Sequence, residues 1–456
     1  MSQSILQPKV MNFNSILFVL LGGLTGLALL MPEAAVMLAA LGAIAVFYLL
    51  VTEASRSLWL VISYVIVDYV FRKGPVTALA GSWDELLFIF VIGAWLAKLA
   101  WEKLPQYRFT PLDWPIITFL AIGVFLLFIK SPDMRIAIEG LRAVIQYIFW
   151  FFVAVNLIRT KEQVHGMLVL GIFVVSVIAL YGVYQWVTGA EIPPEWIDKA
   201  EKGIRTRAFG ISTIGSPNVL GSMMVLFIPI TISLILAVKT LWKKSVLGVA
   251  LATMGLCVVF TYSRGAWLAL IGALAFYGVL RDKRILALML IGALLAPIAV
   301  PSVAARMSYM LSPEYIKSSW KGGRLGRWDM ALDRAATQPI TGVGLGRFGG
   351  AVAARNELPG TKYVDNYYLK TLAEMGAIGL AAMLWLFFSC IRFGTNIYTR
   401  LRDPYLHNLS AGILAGLLGV LLHNGVENIF EVPMMSTYFW FLLGMLGTFR
   451  YLESKN

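Results

Sequence analysis

The chain has 456 residues, of which 59% are hydrophobic and only 14% are charged, and its formal net charge is +13. Its mean hydropathy of +0.76 excludes a soluble globular enzyme and indicates a polytopic membrane protein. We expect the lipid bilayer as its surroundings and no nucleic acid as a partner.

Apolar runs of helical length follow one another along the chain. Residues 15–31 have the length of a signal peptide, but a second span follows at once without a small-residue cleavage site, so we expect the first to be retained. Hydropathy predicts an all-α bundle of about 12–14 transmembrane helices. The predicted spans are 15–31, 34–52, 57–71, 83–98, 115–130, 143–158, 166–186, 218–238, 245–262, 265–280, 285–300, 367–390, 408–423 and 437–450.

The short connections between these spans predict an orientation. With the N-terminus in the cytoplasm, the connections that carry Arg56, Arg159 and Arg392, among others, face the cytoplasm, as the positive-inside rule requires. The same orientation puts the long segment 301–366 outside the cell, before the third-last span. We therefore predict N-terminal helices in 1–204, central helices in 205–300, an extracytoplasmic loop in 301–366 and C-terminal helices in 367–456.

The cysteines and histidines give no support to metal or redox chemistry. Cys257 and Cys390 lie inside apolar runs and form no C-x-x-C pair. His165, His407 and His423 have no ligand spacing such as H-E-x-x-H. We predict a protein that needs neither metal nor cofactor, and we expect His423 to be packed or to cap a helix.

The predicted outer loop is basic, with nine Lys and Arg residues against five acids between 301 and 366. Either this is a solvated surface or it forms an anion site. The stretch "GGRLGRWDMALDRAATQPITGVGLGRF" (322–348) predicts an amphipathic helix closed by Pro339, followed by a glycine-rich turn. Arg324 and Arg327 lie within one helical turn, so both guanidinium groups can bind one phosphate or pyrophosphate.

Two other stretches on the same predicted side carry polar residues at the start of a span. "RTRAFGISTIGSPNVLGS" (205–222) contains Arg207 and Asn218, although Ser216 and the following proline also fit an ordinary capped helix start. "TYSRGAWLAL" (261–270) places Arg264 in a tight link between apolar runs. A charge there needs a partner, which is a substrate anion, a lipid headgroup, or water reached by snorkelling.

The stretch "KYVDNYYLKTLAEMGAIGL" (362–380) places polar residues at the mouth of a span. Asn366, Lys370 and Glu374 are spaced by four and share one helical face, which predicts a substrate cavity or, alternatively, an intrahelical ion pair. Asp365 stands at the N-terminal edge, where it is a candidate general base or a plain helix cap. The small residues of "GAIGL" predict close approach by another helix.

These stretches together resemble the O-antigen ligase and O-antigen polymerase superfamily. Its members show an S-R-G turn, an R-x-x-x-W loop helix leading into a Pro- and Gly-rich segment, and H-N followed after nine residues by G-x-x-G. The resemblance covers residues 205–445. It implies a multi-span, metal-independent glycosyltransferase of the GT-C-like type, which uses a polyprenyl-pyrophosphate-linked glycan at the outer face of the bacterial cytoplasmic membrane, with 301–366 as its catalytic loop.

The resemblance also implies roles for individual residues. Arg264 and Arg324 fall on arginines that hold the donor pyrophosphate, and Asn366 fits the last motif. Asp365 occupies the position of the histidine that the ligases use to help the acceptor hydroxyl attack, and polymerases do not all share that histidine.

We therefore favour a polymerase that joins lipid-linked repeat units of a surface polysaccharide. Ligase-like transfer of the glycan to another lipid or protein acceptor, and a non-enzymatic transporter or flippase, remain alternatives. The expected partners are the lipid-linked donor, a glycan or lipid acceptor, and other polysaccharide assembly proteins. The predicted catalytic residues are Arg264, Arg324 and Asp365, and the predicted substrate-binding residues are Arg207, Asn218, Arg327, Asn366, Lys370 and Glu374.

Overall fold

A computed structural model describes residues 54–73, 83–101, 107–191, 206–281 and 301–454, apart from 131, 212 and 213, together with a few residues between 283 and 298. The chain divides into two compact units. One comprises residues 1–57 and 84–106, and the other comprises residues 58–83 and 107–456. The second unit contains the helices from Asp113 to Ser454.

The described residues form helices joined by turns, and no β-strand lies among them. In chain order the helices are α1 (Ser57–Ile62), α2 (Tyr64–Lys73), α3 (Trp83–Trp101), α4 (Asp113–Ile129), α5 (Met134–Ile145), α6 (Phe149–Leu157), α7 (Lys161–Thr188), α8 (Pro217–Ala237), α9 (Leu241–Phe260), α10 (Arg264–Leu280), α11 (Pro301–Met310), α12 (Pro313–Trp320), α13 (Arg324–Thr337), α14 (Ala351–Arg355), α15 (Tyr367–Arg400), α16 (Pro404–His423) and α17 (Pro433–Ser454).

Six spans in the described residues are long and apolar enough to cross a membrane: α5 with α6, α7, α8, α9, α15 and α16. Helices α4 and α10 are shorter apolar helices. The prediction of a polytopic helical membrane protein is thus confirmed. The spans predicted at 15–31 and 34–52, and most of that at 285–300, lie outside the described residues.

Two predicted spans differ from the structure in shape. The span predicted at 57–71 is divided between α1 and α2 at Ser63. The span predicted at 143–158 begins earlier, at Met134, where the Asp133 side chain caps α5 by accepting hydrogen bonds from the backbone N–H groups of residues 135 and 136. Hydropathy missed this start because charged residues in the first turns of α5 lower the local average.

The segment 301–366 is largely helical. The predicted amphipathic helix is present as α13 and ends two residues before Pro339. The stretch "GVGLGRF" forms turns, as predicted, and Gly342, Gly344 and Gly346 take positive φ angles there.

The core of the bundle is the contact between α8 and α16. Gly412 and Gly416, one turn apart on α16, face the backbone carbonyls of Pro229 and Leu226 on α8 so closely that a Cβ at either glycine would collide with them. Small residues at this spacing let two helical backbones approach. The α8–α16 contact holds the start of α8 and the end of α16 beside each other.

Helix α15 is broken at Gly376, whose φ of 65° and ψ of −167° lie outside the helical region. The break frees backbone groups that pair with the glycine-rich segment: Ala377 N–H donates to the Pro339 carbonyl (2.8 Å), and Val343 N–H donates to the Ala373 carbonyl (2.9 Å). The prediction that another helix would approach "GAIGL" is therefore wrong at Gly376, where the approaching element is the loop backbone at Ile340.

We expect Gly376→Ala to destabilise the protein by roughly 2–3 kcal/mol, because its φ and ψ are nearly exclusive to glycine and its Cβ would collide with the Ile340 carbonyl. Cys257 and Cys390 are buried and free, so a thiol-reactive fluorophore reports thermal unfolding of the protein in detergent. Gly248→Ala on α9 is the control, since open space surrounds it. Equal unfolding temperatures for the two variants would contradict the conclusion that the break in α15 requires glycine at position 376.

Candidate active site

A cavity of about 1040 Å³ lies where the starts of α8, α10 and α13 meet the end of α16. Five cationic side chains and two carboxylates line it among the described residues. Helix N-termini carry partial positive charge, so three of them add to the attraction of the cations for an anion. The charged lining residues are Arg207, Arg264, Lys321, Arg324, Arg327, Asp365 and Glu427.

Arg207 and Arg264 form the inner wall. The Arg207 side chain is buried, and its Nε donates to the Thr261 carbonyl at 2.8 Å. Burial and the nearby charges of Arg324 and Arg264 lower the pKa of Arg207 to about 10, so it remains cationic at neutral pH. The Arg264 guanidinium lies over the ring of Tyr315, 4.3 Å from its centroid. This cation–π contact joins α10 to α12 across the cavity.

Local sequence explains the position of Arg264. Tyr262 takes a positive φ of 50°, and Ser263 then caps α10 by accepting a hydrogen bond from the Ala266 N–H at 3.3 Å. The following Gly265 leaves room for His423, whose ring would lie within 3.0 Å of a Cβ there. The "SRG" sequence thus turns the chain sharply and puts the arginine at the first helical position.

Arg324 and Arg327 form the outer wall with the two carboxylates. Arg327 Nη2 lies 2.7 Å from Asp365 Oδ2, while Arg324 Nε lies 3.8 Å from the same oxygen. Arg324 Nη2 lies 3.3 Å from Glu427 Oε2, which also accepts a hydrogen bond from the Asn218 amide. Arg324 and Arg327 thus both face Asp365, and their joint binding of one phosphate or pyrophosphate stays a prediction.

Glu427 is a buried carboxylate in the cavity wall. It is 8% exposed, and burial together with nearby Asp365 raises its pKa to about 7, against the opposite influence of Arg324. The side chain therefore titrates close to neutral pH.

Asp365 does not cap α15. It lies one residue outside the cap, with a φ of 52° that aspartate tolerates better than most residues. Asn366 is the cap: its Oδ1 accepts hydrogen bonds from the N–H groups of Tyr368 and Leu369. The predicted alternative of Asp365 as helix cap is thus wrong, and Asn366 is not among the described residues that line the cavity.

Lys370 and Glu374 are buried outside the cavity lining. Lys370 Nζ lies 2.7 Å from Glu374 Oε2 and 3.1 Å from Glu431 Oε1, and all three side chains are at most 5% exposed. The predicted intrahelical ion pair is present, but a third residue joins it and the three side chains are buried instead of solvated. Six of the nine predicted site residues line the cavity: Arg207, Asn218, Arg264, Arg324, Arg327 and Asp365.

Sequence analysis missed Glu427 and Tyr315. Glu427 lies in "LLHNGVENIFEVP", four residues after His423 and just past the end of an apolar helix. The signal that could have revealed Glu427 is an acidic residue next to the end of a predicted transmembrane helix. His423 itself is fully buried and is not among the lining residues, and neither ring nitrogen has a hydrogen-bond partner in the described part of the chain. No group of three or more potential metal ligands occurs among the described residues.

Comparison with known proteins identifies the region around this cavity. Residues 249–384 match the family model described as O-antigen ligase. The matched range contains Arg264, Arg324, Arg327 and Asp365, whereas Asn218 and Glu427 lie outside it. A search of curated proteins gave no match. Over residues 249–384, less than half of its length, the chain is therefore similar to the O-antigen ligase family, which supports the predicted resemblance to the O-antigen ligase and O-antigen polymerase superfamily.

Proposed function

We propose that this protein is a polymerase that joins polyprenyl-pyrophosphate-linked repeat units of a surface polysaccharide at the outer face of the bacterial cytoplasmic membrane. The observation that carries the proposal is the convergence of arginines from three separate segments, at residues 207, 264 and 324, on one cavity. We take segment 301–366 as the extracytoplasmic catalytic region.

The charge of the cavity fits a diphosphate. Five cations against two carboxylates leave an excess of three positive charges, which is enough to neutralise the two negative charges of a pyrophosphate diester. Guanidinium groups bind phosphate oxygens through paired N–H donors. Because the cations are fixed in place before the substrate arrives, they stabilise the charge that develops on the departing diphosphate without reorganisation.

The reaction is the transfer of a glycosyl unit between two oxygens. An acceptor sugar hydroxyl attacks the anomeric carbon, the bond from that carbon to the phosphate oxygen breaks, and polyprenyl pyrophosphate leaves with the bonding electrons. A good leaving group needs only modest help from a general base. Asp365 and Glu427 are the two carboxylates that face the reacting region.

The residue at position 365 favours a polymerase over a ligase. The ligase histidine is replaced there by Asp365, and His423 is not in the described cavity lining. The position of the charged residues at helix ends favours an enzyme over a transporter, whose sites lie near the bilayer midplane.

We expect the purified protein to polymerise its substrate without a second acceptor. The substrate is the lipid-linked oligosaccharide pool extracted from a host strain that lacks this gene. A ladder of lipid-linked products that lengthens with time supports the proposal. Product that forms only after addition of another lipid or protein acceptor indicates a ligase, and movement across vesicles without a new glycosidic bond indicates a transporter.

A further inference from the structure

The two carboxylates of the cavity occupy different settings. Asp365 is bound at 2.7 Å by Arg327 and has Arg324 as a second cation, so its Oδ2 faces two guanidinium groups. Glu427 has one guanidinium at the longer distance of 3.3 Å, and its other partner is the neutral amide of Asn218. Asp365 is thus the more closely paired of the two carboxylates.

The two oxygens of the Glu427 carboxylate differ in their contacts. Both described contacts are made by Oε2, and within the described residues no hydrogen bond to Oε1 is present. The side chain is buried at the cavity wall, and the Asn218 amide fixes its orientation from the start of α8. A carboxylate in the wall of a substrate cavity, oriented through one oxygen and with the other oxygen available to accept a proton, has the arrangement of a general base.

We infer that Glu427 is the general base that takes the proton of the acceptor hydroxyl, and that Asp365 instead positions Arg324 and Arg327 for the diphosphate. This inference rests on the proposed glycosyl transfer. The acceptor oxygen forms its bond to the anomeric carbon while its proton passes to Glu427, and the polyprenyl pyrophosphate leaves with the electron pair of the broken bond. Glu427 then returns the proton to water.

Electrostatics also favour Glu427 as the base. A carboxylate whose pKa is raised toward the working pH is suited to accept a proton. The pKa of Glu427 near 7 gives it that role at neutral pH. The charged and titratable groups that face Glu427 are Arg207, Tyr363, Arg324, Arg327 and Asp365.

The pH dependence follows from this pKa. Below pH of about 7, Glu427 is increasingly protonated and cannot act as a base, so the polymerisation rate should fall as the pH falls. The Glu427→Gln variant has no group that titrates at that position. Its residual rate should therefore be independent of pH between about 6 and 8.

The test uses the full-length protein in detergent with the lipid-linked oligosaccharide pool described above. We expect Glu427→Gln to lower the polymerisation rate by about 100-fold or more. The variant should also lose the acid limb of the pH profile, which is the fall in rate below pH of about 7. Glu427→Asp should retain the limb at a reduced rate. Glu314→Gln, which removes an exposed carboxylate from α12, is the matched control and should behave as wild type.

Binding separates a base from a merely structural residue. Undecaprenyl pyrophosphate should raise the thermal unfolding temperature of Glu427→Gln as much as that of wild type. Asp365→Asn should weaken this effect and move the acid limb to lower pH, because the charge of Asp365 contributes to the raised pKa of Glu427. A Glu427→Gln rate within threefold of wild type, or a fall in rate at low pH that persists in this variant, would overturn the inference while wild-type polymerisation upholds the proposed function. If the wild type forms no polymer, both fall together.

Discussion

Arg324→Ala should abolish polymer formation while leaving the protein folded. Arg324 lies beside both carboxylates of the cavity, at 3.8 Å from Asp365 and 3.3 Å from Glu427. Its loss removes a preorganised donor at the place where negative charge develops. Removal of a single such donor costs about 100- to 1000-fold in rate in other enzymes, and the proposed diphosphate needs this one for both binding and departure.

The measurement combines a cellular and a purified readout. A strain that lacks the gene is complemented with each variant, polysaccharide chain lengths are compared on gels, and protein levels are checked by immunoblot. The rate with the extracted lipid-linked pool is then measured. Arg334→Ala is the matched control, because Arg334 lies exposed on the same helix, α13, ten residues later.

Lysine at position 324 tests the geometry of the guanidinium. Arg324→Lys keeps one positive charge but loses the planar pair of donors, so we expect a rate between those of Arg324→Ala and wild type. Wild-type chain lengths in an Arg324→Ala strain with a normal protein level would contradict the proposed diphosphate site.

The residues that the sequence placed correctly are those whose signal is local. The helix α13 was predicted from its apolar spacing, and Arg324 and Arg327 follow from it because they lie within one turn. The start of α8 at Ser216 and Pro217 was predicted from the side chains that cap helices, and Ser216 does accept the Val219 N–H.

The features that the sequence did not reveal depend on contacts between distant segments. Glu427 meets Asn218 across 209 positions of the chain, and neither residue indicates the other. The break at Gly376 was missed because hydropathy predicts one continuous span over 367–390, and the backbone groups freed by the break pair with the distant loop from Pro339 onward. Asp365 and Asn366 are both good caps, and the choice between them is made by tertiary contacts such as that of Asn366 N–H with Asn428 Oδ1 at 3.0 Å.

Lys370 shows how the buried network supports the cavity from outside it. Lys370 Nζ joins Glu374 and Glu431, whose other carboxylate oxygens accept the backbone N–H groups of Phe348 (3.0 Å) and Ala351 (2.8 Å). The two acids thereby fasten the glycine-rich segment to α15 and to the end of the bundle. Val364 N–H in turn donates to the Gly349 carbonyl at 3.1 Å, immediately before Asp365.

Lys370→Ala should therefore destabilise the fold and not the substrate contacts. It leaves two buried carboxylates without their shared cation, a change that costs about 3–5 kcal/mol in comparable buried pairs. We expect a large drop in the thermal unfolding temperature, followed with the thiol-reactive fluorophore, while the fraction that remains folded is stabilised normally by undecaprenyl pyrophosphate. Lys362→Ala, an exposed lysine eight residues earlier, is the control. If Lys370→Ala unfolds at the wild-type temperature but has lost binding, then Lys370 contacts substrate, as its sequence position first indicated.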